Sequence, residues 1–135
     1  MTTAVAIALV AHRGAYLVGR RGANSPLAGF AEFPGGKCAP GEAPADCAVR
    51  ECREETGLDV EVLRLRREVE HTYPYGRMRL YFFDCRVIGA SAPPCPLANF
   101  TWVPRERLME YRFPEPNVAL LAELARESPS PSTGT

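Results

Sequence analysis

Residues 36–58 read GKCAPGEAPADCAVRECREETGL, and this stretch decides the fold. Pro44 suits the first turn of a helix, and Gly57 stands where a left-handed C-terminal cap is wanted, so a helix is expected over residues 45–56. At 100° per residue, Ala45, Ala48, Val49, Cys52 and Thr56 fall on one arc, the expected buried stripe. Glu51, Glu54 and Glu55 fall on the neighbouring arc. Glu51 and Glu55 are like charges at i,i+4, which destabilise an exposed helix by about 0.2–0.5 kcal/mol unless a cation joins them. Hard divalent cations such as Mg²⁺ and Mn²⁺ take oxygen ligands, which a carboxylate cluster beside a cleft supplies. The plainer alternative is a solvated acidic face balanced by Arg50 and Arg53.

The flanks of the helix favour a ligand site. Phe33-Pro34-Gly35-Gly36-Lys37 precedes it, with glycines that let backbone approach a ligand and a lysine that offers a point charge to phosphate. Residues 21–44 carry five Gly and four Pro, which reads as a long loop with one short strand near Phe33. Upstream, residues 4–11 and 15–19 are strand-like runs joined at His12-Arg13-Gly14, an antiparallel hairpin. Downstream, residues 58–71 and 77–88 are long strands meeting at Tyr73-Pro74-Tyr75-Gly76. A Pro-rich loop at 90–97, a short strand around Trp102, a helical turn at 105–110 and an amphipathic helix at 117–126 complete the pattern. Strands around a central helix, with a terminal helix to close the chain, imply α/β layers with helices on two faces of a sheet.

Composition bounds the function. The chain has 135 residues, enough to bury roughly two-thirds of its unfolded surface around one core. Lys plus Arg and Asp plus Glu number 16 each, so no global field draws it to nucleic acid or membrane, and any polyanion is met locally. Cys38, Cys47, Cys52, Cys85 and Cys95 are odd in number and show no CxxC spacing, which predicts reduced thiols and a cytoplasmic protein. The apolar run 4–11 is too short to span a bilayer and reads as a buried strand. Residues 1–127 are expected to form a single domain, and 128–135, SPSPSTGT, a disordered C-terminal tail.

The run Gly36-x5-Glu42-x7-Arg50-Glu51-Cys52-x-Glu54-Glu55-x-Gly57-Leu58 resembles the Nudix box, the pattern of hydrolases acting on nucleoside diphosphates linked to another group. Cys52 departs from it, standing where the family usually carries a larger aliphatic residue. Gly19-Arg20-Arg21, the stretch to Phe33, Tyr73-Pro74, Trp102 and Phe113-Pro114-x-x-Asn117 extend the likeness to the MutT-type branch, which includes sanitising enzymes for oxidised nucleotides. The resemblance implies an α+β fold of the Nudix kind, an α/β/α sandwich around a mixed β-sheet. It implies Mg²⁺, with Mn²⁺ as a substitute, on Glu51, Glu54, Glu55 and the Gly35 carbonyl. Glu51 would orient or deprotonate the attacking water, and Arg50 would hold the carboxylates, with Glu42 paired to it or in the outer shell. Lys37 and Arg21 would face the phosphates. Some MutT-type enzymes place a further Glu where this chain has Thr101, so a second carboxylate base is not expected there.

The implied reaction is hydrolysis of a nucleoside triphosphate to monophosphate and pyrophosphate, with 8-oxo-dGTP or a related oxidised nucleotide as substrate. Specificity must come from the base pocket, because every triphosphate tail is alike. Asn117 matches the family residue that reads the purine edge; oxidation at C8 turns N7 from acceptor to donor, which an amide oxygen distinguishes. The alternative for Asn117 is an N-cap of the last helix. Phe33, Leu27 and Tyr73 are candidate base contacts. The stretch from Trp102 to Leu108 also suits relatives acting on CTP or oxidised pyrimidine nucleotides, and Pro74 lies near a proline of the ADP-ribose and nucleotide-sugar pyrophosphatases. A Nudix-fold binding module is the non-enzymatic alternative, and it would lack carboxylates of the box. Neither a nucleic-acid polymer nor a membrane is expected as partner, and the protein is expected to be a monomer or homodimer.

Overall fold

The computed structural model describes residues 2–21, 29–89, 96 and 99–126. Its centre is β1 (Thr2–His12), whose small residues at every second position let a helix sit close. Ala6, Ala8 and Val10 are fully buried and join Cys47, Ala48 and Cys52 of α1 (Pro44–Thr56) in one cluster. Leu9, fully buried as well, points the other way and packs in a second cluster with Leu120, Leu121 and Leu124 of α2 (Glu115–Arg126). The two-residue period of the strand thus separates the core into two halves. Helices lie on both faces, as the sequence predicts.

Around β1 the sheet is mixed. β2 (Ala15–Arg20) returns antiparallel through a two-residue turn, Arg13-Gly14, with φ of 50° and 80°, the backbone of a type I′ hairpin. The turn is one residue tighter than the sequence suggests. β6 (Gly76–Val87) runs parallel to β1 over its whole length, and β5 (Val60–Tyr73) lies antiparallel outside it. β7 (Thr101–Pro104) pairs with β2 and leads into a 3₁₀ turn at Arg105–Glu110.

The loop read as holding one short strand contains two. β3 (Ala31–Glu32) pairs with β2, and β4 (Gly35–Lys37) pairs antiparallel with β1 at Val5, Ala6 and Ile7. Phe33 lies between them, buried and stacked on Phe113 at 4.8 Å. This arrangement carries the glycines onto the sheet directly beneath α1, which fixes where the helix presents its carboxylates.

α1 starts at Pro44, and Gly57 ends it at φ 78°, its amide donating to the Arg53 carbonyl at 2.9 Å. α2 begins at Glu115, two residues before the expected start. Its leucines are each worth about 1.5–3 kcal/mol of burial, and a polar seam adds to them. Arg66 of β5, its side chain only 7% exposed, reaches Asp84 at 2.7 Å and Glu123 of α2 at 2.6 Å. Leu27, Cys95, the Pro-rich loop apart from Pro96, and the C-terminal tail lie outside the described residues. Within the described residues the cysteines are free thiols, and no helix is long and apolar enough to cross a membrane.

Candidate active site

The last turns of α1 stand over β4, and the side chains that meet there are those of the quoted stretch. Arg50 is the hub. Its Nε donates to Glu42 Oε2 at 2.8 Å and its Nη2 to Glu42 Oε1 at 3.0 Å, a two-point grip that a lysine could not reproduce. Nη1 donates to Glu51 Oε2 at 2.9 Å and to Glu54 Oε2 at 3.1 Å, and Nη2 also reaches the Lys37 carbonyl at 3.3 Å. Glu42 takes a further bond from the Ala39 amide at 2.9 Å. The Arg50 hydrogen bonds, helped by that amide, hold the Glu42 carboxyl down at about 2, and the same carboxylates push Arg50 above its ordinary range.

Glu55, one turn after Glu51, also reaches β4. Its Oε1 accepts the Gly35 amide at 3.0 Å. Burial raises its carboxyl to about 7, and the negative charges of Glu32, Glu51 and Glu54 push the same way against that hydrogen bond. Glu51 approaches β4 so closely that a Cβ on Gly36 would meet its carboxylate, which would have to move aside. Among the described residues no three acidic, His or Cys side chains close on one point as a metal cage. The donor set nevertheless suits a hard divalent cation: three carboxylates on one helical turn, one of them pushed towards its neutral form for want of positive charge. Mg²⁺ keeps several waters and needs few protein oxygens. Glu51, Glu54, Glu55 and the Gly35 carbonyl are the groups that would hold it.

A cleft of about 340 Å³ opens beside this turn. Gly35, Lys37 and Glu55 line one end. Phe33, Tyr73 and Asn117 line the rest, with Arg21 and Glu32 at the same wall. The expected phosphate-facing and base-facing residues that fall in the described chain therefore share one cavity, while Arg50, Glu51 and Glu54 stand next to it on the helix. Asn117 is nearly buried, inside the first turn of α2 rather than before it, and its amide donates to the Pro114 carbonyl at 2.9 Å. The N-cap reading of Asn117 is thereby corrected.

Glu32 was not expected from the sequence. Arg21 Nη1 donates to its Oε1 at 3.4 Å, and burial raises the Glu32 carboxyl although Arg21 opposes the shift. Arg21 Nε is buried with no hydrogen-bond partner among the described residues. The sequence signal for Glu32 was its place one residue before Phe33, in the run leading to the glycines; nothing local separated it from a solvated loop acid. Tyr73 and Tyr75 stack at 5.1 Å across the tip of the β5–β6 hairpin, with Tyr75 exposed at the mouth of the cleft.

A NUDIX domain model matches residues 1–124. The chain is similar to the 8-oxo-dGTP diphosphatase of Escherichia coli (strain K12), 31% identical over 112 residues that cover 79% of this chain and 83% of that one. It is 39% identical to the 8-oxo-dGTP diphosphatase of Proteus vulgaris over 66 residues, 49% of this chain and only 59% of that relative. Over 58 residues, 43% of each chain, it is 41% identical to the CTP pyrophosphohydrolase of Escherichia coli (strain K12). The crystal structure of the MutT protein from Methanosarcina mazei Go1 shares the fold, with a TM-score of 0.76 at 24% identity over 93% of this chain and 94% of that one. Sequence, fold and site converge, and the chain belongs to the Nudix hydrolase family.

Proposed function

We propose that this protein is a Mg²⁺-dependent pyrophosphohydrolase that cleaves nucleoside triphosphates to monophosphate and pyrophosphate, and that oxidised nucleotides such as 8-oxo-dGTP are its substrates. The observation that carries the reading is one cleft of about 340 Å³ lined both by Glu55, Lys37 and Arg21 and by Phe33, Tyr73 and Asn117, the groups suited to metal and phosphate and those suited to a base. In this reading the bound cation, held by Glu51, Glu54, Glu55 and the Gly35 carbonyl, neutralises charge on the phosphoryl oxygens and acidifies water. Glu51 takes the proton of the water that attacks the bridging phosphorus. Arg50, gripped by Glu42, keeps Glu51 and Glu54 pointed at the site. Lys37 and Arg21 meet the phosphates, and Phe33, Tyr73 and Asn117 hold the base. Residues 1–127 act as one domain.

A cytosine nucleotide is the second reading, favoured by the match to a CTP pyrophosphohydrolase. Pyrophosphate release from 8-oxo-dGTP, dGTP, CTP and 5-hydroxy-dCTP, and AMP release from ADP-ribose, with Mg²⁺ and with chelator, separate the two. The expected result is that 8-oxo-dGTP has the highest kcat/KM and that chelator stops the reaction. A lead for CTP would move the assignment to pyrimidines, and binding without pyrophosphate release would replace hydrolysis by recognition alone.

A further inference from the structure

Two thiols meet beneath the loop that carries Glu42. Cys47, on the first turns of α1, is fully buried, and Cys38, just after β4, is half-buried and packs against the same apolar cluster. The two thiols are neighbours: Cys38 follows Gly36 by two residues, the carbonyl of Gly36 takes the Cys47 S–H, and the Cys38 thiol helps to push that of Cys47 up. The catalytic reading uses neither sulfur, yet Cys47 touches the parts that hold Arg50. Its Sγ donates to the Gly36 carbonyl at 3.5 Å and lies 3.9 Å from Arg50 Nη2, the nitrogen that also grips Glu42. Cys38 is anchored to β1 through its amide, which donates to the Ala4 carbonyl at 2.9 Å.

We propose that Cys38 and Cys47 are a redox modification site, in which a peroxide drives formation of a disulfide that loosens the Arg50–Glu42 grip and slows hydrolysis. The proposal goes beyond the hydrolytic reading and is independent of which nucleotide is cleaved. Cys38 is the sulfur a peroxide can reach. Its thiolate attacks the O–O bond, an S–O bond forms, and the departing hydroxide takes up a proton as water, leaving a sulfenic acid. Burial pushes the Cys47 thiol up to about 12, which keeps it inert towards peroxide itself. Beside a sulfenic acid it becomes the resolving thiol: its sulfur attacks Cys38 Sγ, the S–S bond forms, the S–O bond breaks, and hydroxide leaves with the Cys47 proton. Two thiols and one hydrogen peroxide give one disulfide and two waters.

A disulfide holds its sulfurs about 2.05 Å apart, far inside non-bonded contact. The two sulfurs must therefore close on each other, and oxidation removes the Cys47 S–H that now donates to the Gly36 carbonyl. Glu42 and Arg50 lose a wall of their pocket, and the loss falls on Glu51 and Glu54, which Arg50 positions. Disturbing such supporting contacts lowers activity by about 10- to 100-fold in comparable metal sites.

The test uses the full chain exposed to hydrogen peroxide, alkylated and digested with trypsin. Both cysteines fall in the peptide 38–50, CAPGEAPADCAVR. The expected product is this peptide lighter by two hydrogens and free of alkyl groups, with pyrophosphate release from the best triphosphate down about tenfold or more and restored by dithiothreitol. Cys38→Ser is expected to keep basal activity and to lose both the bridged peptide and the peroxide response. A doubly alkylated 38–50 peptide after peroxide overturns the proposal, as does a Cys38→Ser enzyme inactivated as fast as wild type. The peptide mass decides the point even if no triphosphate is hydrolysed, so failure of the hydrolytic reading is told apart from failure of this one.

Discussion

The Gly35 amide donates to Glu55 Oε1 across 3.0 Å, tying the glycine strand to the last turn of α1. That bond selects one of the two carboxylate oxygens and leaves the other towards the cleft that Glu55 lines. Glu55→Gln keeps an oxygen able to accept the amide proton, so the fold and its melting temperature should hold, but the charge is gone. Turnover should fall by several kcal/mol of transition-state stabilisation, about a thousandfold, as expected when a metal-ion contact is removed. Steady-state pyrophosphate release with a parallel thermal melt checks this. Wild-type-like turnover in Glu55→Gln would remove the residue from the site.

The shifted carboxyl of Glu55 also makes stability depend on pH. Its value in the folded chain is about 7 against an ordinary 4.5, so between these the native state binds more protons than the unfolded one. Stability then falls as pH rises through that window, and the penalty is complete above 7. In chelator, the melting temperature should decline from pH 5 to 7 more steeply for wild type than for Glu55→Gln. Mg²⁺ should flatten the wild-type curve by compensating the ionised carboxylate. Parallel slopes in chelator for the two proteins would show that Glu55 is not the group responsible.

Arg50 tests positioning separately from metal binding. Lys in its place keeps one positive charge but cannot grip Glu42 through two nitrogens while also reaching Glu51 and Glu54. Arg50→Lys should lower kcat by about 10- to 100-fold, and KM for the nucleotide should change much less. Glu42→Gln should move kcat in the same direction and by less, since it weakens one side of the same grip. A rise in KM with unchanged kcat would place Arg50 on the substrate instead.

Much of this was legible along the chain. The apolar run of residues 4–11 announced a buried strand, which the structure covers on both faces, and the spacing of Glu51, Glu54 and Glu55 announced a shared helical turn. What escaped the reading depended on contacts between distant segments. Glu32 became a cleft residue only because β3 pairs with β2 and faces Arg21. The Arg66 seam joins residues 57 positions apart, and no local pattern marks a buried arginine in an otherwise charged strand. The Cys38–Cys47 contact depends on β4 docking against β1 beneath α1, which places a loop thiol against a helix thiol nine residues on. Asn117 was half legible: the resemblance put it among the base contacts and it does line the cleft, but nothing local placed it on the buried stripe of α2 rather than at the cap.

That placement gives the sharpest test of substrate choice. Asn117 sits on the buried stripe of α2 and lines the cleft beside Phe33, where an amide can both donate to and accept from a base edge. Removing it leaves α2 held by three buried leucines and by Glu123, which bonds Arg66 and Arg67, so Asn117→Ala should fold. A lost hydrogen bond to a neutral edge costs about 0.5–1.5 kcal/mol, so the preference for 8-oxo-dGTP over dGTP should shrink by roughly 2- to 13-fold while kcat on the better substrate changes less. Competition between the two nucleotides at equal concentration reads the ratio directly. An unchanged ratio would confine Asn117 to supporting α2, and CTP turnover that falls more in Asn117→Ala than turnover of either purine would favour the pyrimidine reading, in which the same amide meets the cytosine amino group.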